Sequence, residues 1–266
     1  MNDSNNYIVC KNCDTQFEGN YCNNCGQSSK DYDKPFNVLI IDAMANIWAF
    51  DTRLWKTLKS IMLKPGEMAA NYINGKRVRY MPPFRLYLFV SFIFFMLLRL
   101  SSSSVDINKE QQETKSSVVV FDKEYSQSSP DKFKKELLIA NFFNYMSWAL
   151  IIMMPVYALV LWSLFRKRER HFLAHLIFSL NQHTFLFILL SLLIAVNLIF
   201  PEKDSYYEAW ILMLYPAYLI VGGRELYKSK WRSVIFRMLT AFIIYQIIIL
   251  TTIVFVGLFI QYKMEP

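Results

Sequence analysis

The sequence predicts an all-α polytopic membrane protein of about five transmembrane helices, carrying a small N-terminal head. Three observations carry that prediction. Hydrophobic residues make up 54 % of the 266 residues and charged residues only 19 %, below the ~25 % charge of ordinary soluble domains. Apolar runs follow one another from residue 84 to residue 262. All 4 cysteines fall between Cys10 and Cys25, outside every apolar run. The net charge of +8 would suit nucleic acid, but the basic residues cluster beside the apolar runs. The lipid bilayer is therefore the expected partner, and no nucleic acid is expected.

The organising stretch is Asn71 to Leu100, basic in its first half (Lys76, Arg77, Arg79, Arg85) and almost wholly apolar in its second. A helix rises about 1.5 Å per residue, so this run reaches across a ~30 Å hydrocarbon layer. Lys and Arg are retained in the cytoplasm during insertion, which places everything before Asn71 inside the cell. The apolar runs are Phe84 to Leu100, Tyr145 to Phe165, Leu176 to Phe200, Tyr206 to Val221 and Val234 to Tyr262. The fourth is short, and Pro216 with Gly222-Gly223 leaves a kinked or re-entrant segment as its alternative. Segments 166–170 and 224–237 are basic, whereas 201–208 is acidic. Five spans with the head inside put both basic segments inside and the C-terminus outside. Ser101 to Asp131 is Ser- and Gln-rich, with strand character only at Val118 to Phe121, and reads as an outer tether. Lys134 to Met146 reads as an amphipathic lead-in to the second run, in which Pro155 should introduce a kink.

In the head, Cys10-x-x-Cys13 and Cys22-x-x-Cys25 stand eight residues apart. Each knuckle aims two thiolates at one point, and together they close a tetrahedral four-sulfur shell, the geometry that zinc prefers. Four protein ligands make a closed, structural site. The same ligand set serves an iron site, and two disulfides are the remaining use of four cysteines. Gly26 supplies conformational freedom after the second knuckle, and Gly19-Asn20 turns between the arms. No secretory leader is expected, since Met1 to Tyr32 is polar throughout.

Beyond the knuckles, Phe36, Ile40, Ala43, Ile47, Phe50, Leu54, Leu58 and Ile61 recur at steps of three and four, one apolar face of a helix. Pro35 suits its first turn and Lys64-Pro65-Gly66 stops it. With Trp48 and Trp55 beside the stripe, the helix is expected in the plane of the membrane surface, or packed on the cytoplasmic ends of the bundle. A shorter helix, Glu67 to Asn74, ends at Gly75 as its C′ glycine. The chain thus divides into a zinc ribbon (1–30), cytoplasmic amphipathic helices (31–80) and a transmembrane domain (81–266) with an outer loop at 101–140.

Polar residues inside spans are costly unless paired. His175, Asn181, Gln182 and His183 are expected near the inner end of the third span, with Asn197 and Gln246 deeper. His171 and His175 share one helix face at a spacing that suits a metal pair. The simpler expectation is hydrogen bonding between helices or a place at headgroup level. No phosphate-cradling loop, nucleophile–base pair or carboxylate pair occurs, so no catalytic residue is expected.

YCNNCGQ, TLKSIMLKPG and YINGKRVRYMPPFRLYLF, in that order, resemble the bacterial membrane family called domain of unknown function 3667. That family joins an N-terminal zinc ribbon to a multipass membrane region, and the likeness covers Cys10 to Leu100. AHLIFSLNQHTF resembles a family segment reading Glu-His-Leu-Val-Phe-x-Leu-His-x-His-x-Phe, with Ala174 in place of the Glu and Asn181 in place of one His. The resemblance implies an architecture in the bacterial inner membrane and no activity. The leading expectation is a scaffold or regulatory protein whose ribbon binds a cytoplasmic partner. Its rivals are a membrane enzyme or metal-handling protein using His171, His175 and His183, and a small-molecule transporter or channel.

Overall fold

The computed structural model describes residues 7–29, 53–116, 152–200 and 206–264. Its head begins with two short antiparallel strands, β1 (Ile8–Val9) and β2 (Gln16–Phe17), with Ile8 opposite Phe17. Helices follow: α1 (Leu54–Leu63), α2 (Glu67–Ile73), α3 (Pro83–Ser116), α4 (Ile152–Phe165), α5 (Phe172–Ile199), α6 (Tyr206–Tyr227) and α7 (Trp231–Met264). The apolar stripe from Phe36 to Phe50, Trp48, the segment Val118–Phe121 and the lead-in at 134–146 lie outside the described residues.

Local sequence explains the boundaries. After α1, Lys64 leaves helical geometry, Pro65 has no amide to donate, and Gly66 takes φ +80°. Glu67 then opens α2, where a carboxylate complements the helix dipole, and Lys64 Nζ holds it at 2.9 Å. Gly75 at φ +94° follows the Asn74 cap, as expected of a C′ glycine. Helix α3 starts at Pro83 and runs past Leu100 to Ser116. The first part of the segment read as an outer tether is therefore helical. Residues 101–116 contain no Gly or Pro, and their Lys, Glu and Gln propagate a helix once the span has nucleated it.

Among the described residues, three helical stretches are long and apolar enough to cross a membrane: Pro83–Ser101 of α3, α5, and Trp231–Lys263 of α7. Described α4 is a shorter apolar helix, and α6 passes through Pro216 without interruption. Helix α7 turns Ile243, Ile247, Leu250, Val254 and Leu258 outward at steps of three and four, a face suited to hydrocarbon rather than water.

At the centre lies α5, in which every residue from Ala174 to Phe185 is buried. A helix enclosed on all sides needs neighbours all round it, and it packs on α1, α2, α3 and α6. Helix α4 approaches through Met154, whose carbonyl accepts a bond from Ser179 Oγ at 2.9 Å. The stripe residues Leu54, Leu58 and Ile61 belong to this same core. The described part of the amphipathic stripe therefore packs on the bundle, the second of the two placements that its pattern allowed. Trp55, by contrast, is 80 % exposed.

Several contacts gather one set of helix ends around the head. Arg237 near the start of α7 donates to the Leu164 carbonyl at the end of α4 (3.0 Å), a cation on a helix C-terminus. Phe165 stacks on Tyr227 at the end of α6, with ring centroids 3.9 Å apart. The same Tyr227 bonds His175 at the start of α5. Tyr87, one turn into α3, meets the His183 ring edge-on. Basic segments 166–170 and 224–237 thus share an end with the basic start of α3. At the opposite end Asn197 donates to Glu208 (2.6 Å), joining the tail of α5 to the head of α6. Asn197 is therefore near the far end of its helix and not deep within it.

The turn at Gly66 is locked against α6. A Cβ on Gly66 would overlap the Gly222 carbonyl oxygen, and the positive φ adds strain for any side chain. Gly66→Ala is expected to lower stability by roughly 2 kcal/mol or more. Gly257→Ala, where a Cβ meets nothing within 4 Å, should be neutral or better. Thermal unfolding of the two variants in detergent, side by side, checks this.

Candidate metal centre and buried polar core

Both cysteine knuckles are built alike. Cys10 N–H donates to the Thr15 carbonyl (3.0 Å) and Asp14 N–H to the Cys10 carbonyl (2.8 Å); in the second knuckle Cys22 N–H donates to Gln27 (2.9 Å) and Gly26 N–H to Cys22 (2.9 Å). The residue after each second cysteine is left-handed, Asp14 at φ +59° and Gly26 at φ +72°. Glycine takes that conformation freely and Asp tolerates it. Gly19 makes the turn between the arms at φ +94°.

The result brings all four sulfurs within 4.8 Å of one another. Cys10 Sγ lies 3.5 Å from Cys25 Sγ, and Cys13 Sγ lies 3.6 Å from Cys22 Sγ. A disulfide needs ~2.05 Å, so these are free thiols. Metal–sulfur bonds of ~2.3 Å in a tetrahedron set sulfurs about 3.8 Å apart, close to the spacing seen. Cys10 and Cys22 are buried, with Phe17 packed beside them. Asn24 Nδ2 donates to Thr15 Oγ1 at 3.1 Å, and the Cys13 thiol donates to the same oxygen at 3.4 Å. The hydroxyl and backbone of Thr15 pull the Cys13 thiol down to about 6, whereas burial pushes Cys10 up to about 12. A cation at the centre supplies what Cys10 lacks, a positive charge that holds its thiolate. The residues fit a closed four-sulfur metal site, and among the described residues this is the one such cluster of potential ligands.

Gln27 ties the ribbon to the rest. Its side chain is buried; Nε2 donates to the Gly75 carbonyl at 2.7 Å, and Val78 N–H donates to Oε1 at 3.5 Å. Composition and spacing say nothing of this role, because Gln27 reads as an ordinary polar residue beyond the knuckle.

The three histidines do not form a site together. His171 is exposed and pairs with Glu169 Oε1 at 2.9 Å. His175 Nε2 lies 3.1 Å from the Glu169 carbonyl, and Nδ1 lies 2.8 Å from Tyr227 OH. His183 Nδ1 lies 2.8 Å from the Ser179 carbonyl, and Nε2 lies 2.7 Å from Tyr245 OH. A carbonyl only accepts, so His175 is protonated at Nε2 and His183 at Nδ1, each taking a tyrosine proton on its other nitrogen. Both lone pairs are thus already used, which leaves neither ring a metal ligand. Asn181 Nδ2 reaches Met68 Sδ at 3.0 Å, clasping α2 to α5. His183 lies eleven residues into α5, about 16 Å along its axis, and is buried in the packed core. Tyr227 and Tyr245 were not legible as partners; a tyrosine in an apolar run is the only signal they give.

The family described as "Protein of unknown function (DUF3667)" matches residues 51–95, which supports the resemblance carried by the short motifs. No curated protein and no solved structure matches the chain.

Removing the Tyr245 hydroxyl strands His183 Nε2 in the core. Tyr245→Phe is expected to cost about 1–2 kcal/mol, and His183→Ala a similar amount or more. The double variant should fall well short of the sum, as thermal unfolding in detergent would measure.

Proposed function

We propose that this chain is an integral protein of the bacterial inner membrane whose cytoplasmic head, carrying one structural zinc, serves as a docking platform for a protein partner. The observation that carries the reading is the four-sulfur cluster fixed by Gln27 to the basic end of an apolar helical bundle. Zinc is taken as the ion because a closed four-sulfur tetrahedron is the geometry of its structural sites, and elemental analysis decides between it and iron. Zinc would be held by Cys10, Cys13, Cys22 and Cys25 and would fold the ribbon. Residues 1–30, 31–80 and 81–266 are taken as ribbon, amphipathic helices and membrane domain.

Five crossings are proposed for α3 to α7, with the N-terminus in the cytoplasm and the C-terminus outside. Support comes from the sharing of one end by the starts of α3, α5 and α7 and the ends of α4 and α6, together with the basic residues there. The paired imidazoles support a non-enzymatic role over a histidine-based reaction or metal-handling site. A scaffold needs rigid joints and a presented surface, and both belong to the head.

Three measurements test this. Purified protein should contain about one zinc per chain and negligible iron; a Cys22→Ser protein with full zinc overturns the metal site. Chelation should unfold the ribbon and leave helical content unchanged. For topology, reporter fusions after residues 120 and 204 should read outside, and those after 168 and 228 inside. An external signal at 228 removes the fourth crossing.

A further inference from the structure

Where α1 crosses the start of α3, two depressions meet. The first is a groove of about 530 Å³ between α1, α3 and α5, lined by Leu58, Met62, Ile93, Leu97, Ile188 and Leu192 among others. Its volume lies within the ~300–1,000 Å³ range of ligand sites. Among the described residues its polar lining is confined to Lys59, Ser191 and the indole of Trp55. The second is a recess of about 160 Å³ lined by Lys56, Lys59, Lys64 and Arg79, with Ser60, Glu67 and Tyr80. Lys59 and Leu63 line both.

We propose that the joined groove and recess bind one anionic phospholipid, its phosphate in the recess and part of an acyl chain in the groove. The inference rests on the membrane reading above and adds to it a ligand class and a site. Charge complementarity selects the head. Four cations face one carboxylate, and that carboxylate is engaged by Lys64 at 2.9 Å. Lys56 and Lys59 stand one turn apart on α1, where like charges repel and an anion between them reverses the sign. Arg79 is exposed, its guanidinium 5.9 Å from the Tyr80 ring, and can offer a planar fork to phosphate.

Shape and position select the tail. The groove follows α3 from Phe89 to Leu97, about 12 Å of axis, and leads away from the basic end into the apolar part of the bundle. A soluble anion would leave this groove unused, and a zwitterionic lipid would leave the recess without net charge to neutralise. Trp55, 80 % exposed beside the mouth, suits headgroup level, where indoles concentrate. Thr57 fixes α1 in place by accepting the Met81 N–H at 2.9 Å, so the site is formed before the lipid arrives.

Native mass spectrometry of the full-length detergent-solubilised protein tests this with phosphatidylglycerol, phosphatidylcholine and inorganic phosphate. Wild type should retain one phosphatidylglycerol at least about tenfold better than phosphatidylcholine, and millimolar phosphate should not displace it. Lys59→Glu with Arg79→Glu, both on exposed side chains, should abolish that preference. Leu192→Trp fills the groove from a position 51 % exposed and should weaken retention about tenfold with the recess intact; Met62→Trp does the same from α1. Equal retention of the two lipids, or unaltered retention in both the charge and groove variants, overturns the proposal. Full displacement by phosphate also overturns it and leaves a soluble-anion site. Zinc content separates the two readings: Cys22→Ser that loses zinc but retains phosphatidylglycerol leaves this site standing, and a wild type that holds zinc without lipid selectivity removes the site alone.

Discussion

Burial of a polar helix is the constraint on which the rest of the fold depends. From Ala174 to Phe185, α5 carries His175, Ser179, Asn181, Gln182, His183 and Thr184 with no side open to solvent. Each polar atom removed from water needs a partner, at a cost of about 1–3 kcal/mol if it finds none. The neighbours supply several of them: Tyr227 from α6, Tyr245 from α7, the Met154 carbonyl from α4 and Met68 from α2, whereas Gln182 and the Asn181 Oδ1 atom find no partner among the described residues. Hydrophobic contact alone does not set the register of apolar helices in lipid. These directional bonds do, and they tie the short helix α2 into the same register as the apolar helices.

Coupling to the ribbon follows the same logic on a smaller scale. Among the described residues the ribbon has almost no apolar interior beyond Phe17 and the cysteines, so its fold leans on the sulfur cluster and on Gln27. A buried glutamine bridging two backbone groups gives orientation more than energy, because bonds of this kind contribute only ~1 kcal/mol net. The head therefore has a defined attitude towards the bundle without a large interface. This suits a surface offered to a partner.

Much of this was legible in the sequence, for identifiable reasons. The Cys-x-x-Cys pair is a local code, and spacing alone brings four sulfurs together. Gly66 and Gly75 were readable because a positive φ excludes most residues, and Lys64-Pro65-Gly66 because proline has no amide. Long apolar runs announced α3, α5 and α7 by length and composition. What pattern could not give was partnership. Leu54, Leu58 and Ile61 make an amphipathic stripe that fits lipid and protein equally well, and only the packed structure shows protein. His171 and His175 are four apart, as metal ligands are, yet one faces outward and the other is bonded twice. The role of Gly222 was equally hidden, since an approach between residues so far apart in the chain leaves no local mark.

That approach at Gly66 and Gly222 has a mechanical meaning. Most joints between a head and a membrane bundle are cushioned by side chains that can change rotamer and absorb a displacement. Here backbone meets backbone, while at the next residue a Cβ on Gly223 would meet the Met238 side chain of α7. Such a joint has no slack. A pull on the ribbon reaches α2 through Gln27 and Gly75, crosses to α6 at the glycines, and arrives at α7 within one residue. The Gly66–Gly222 approach is thus the place at which a displacement of the head would first be felt by the last two helices.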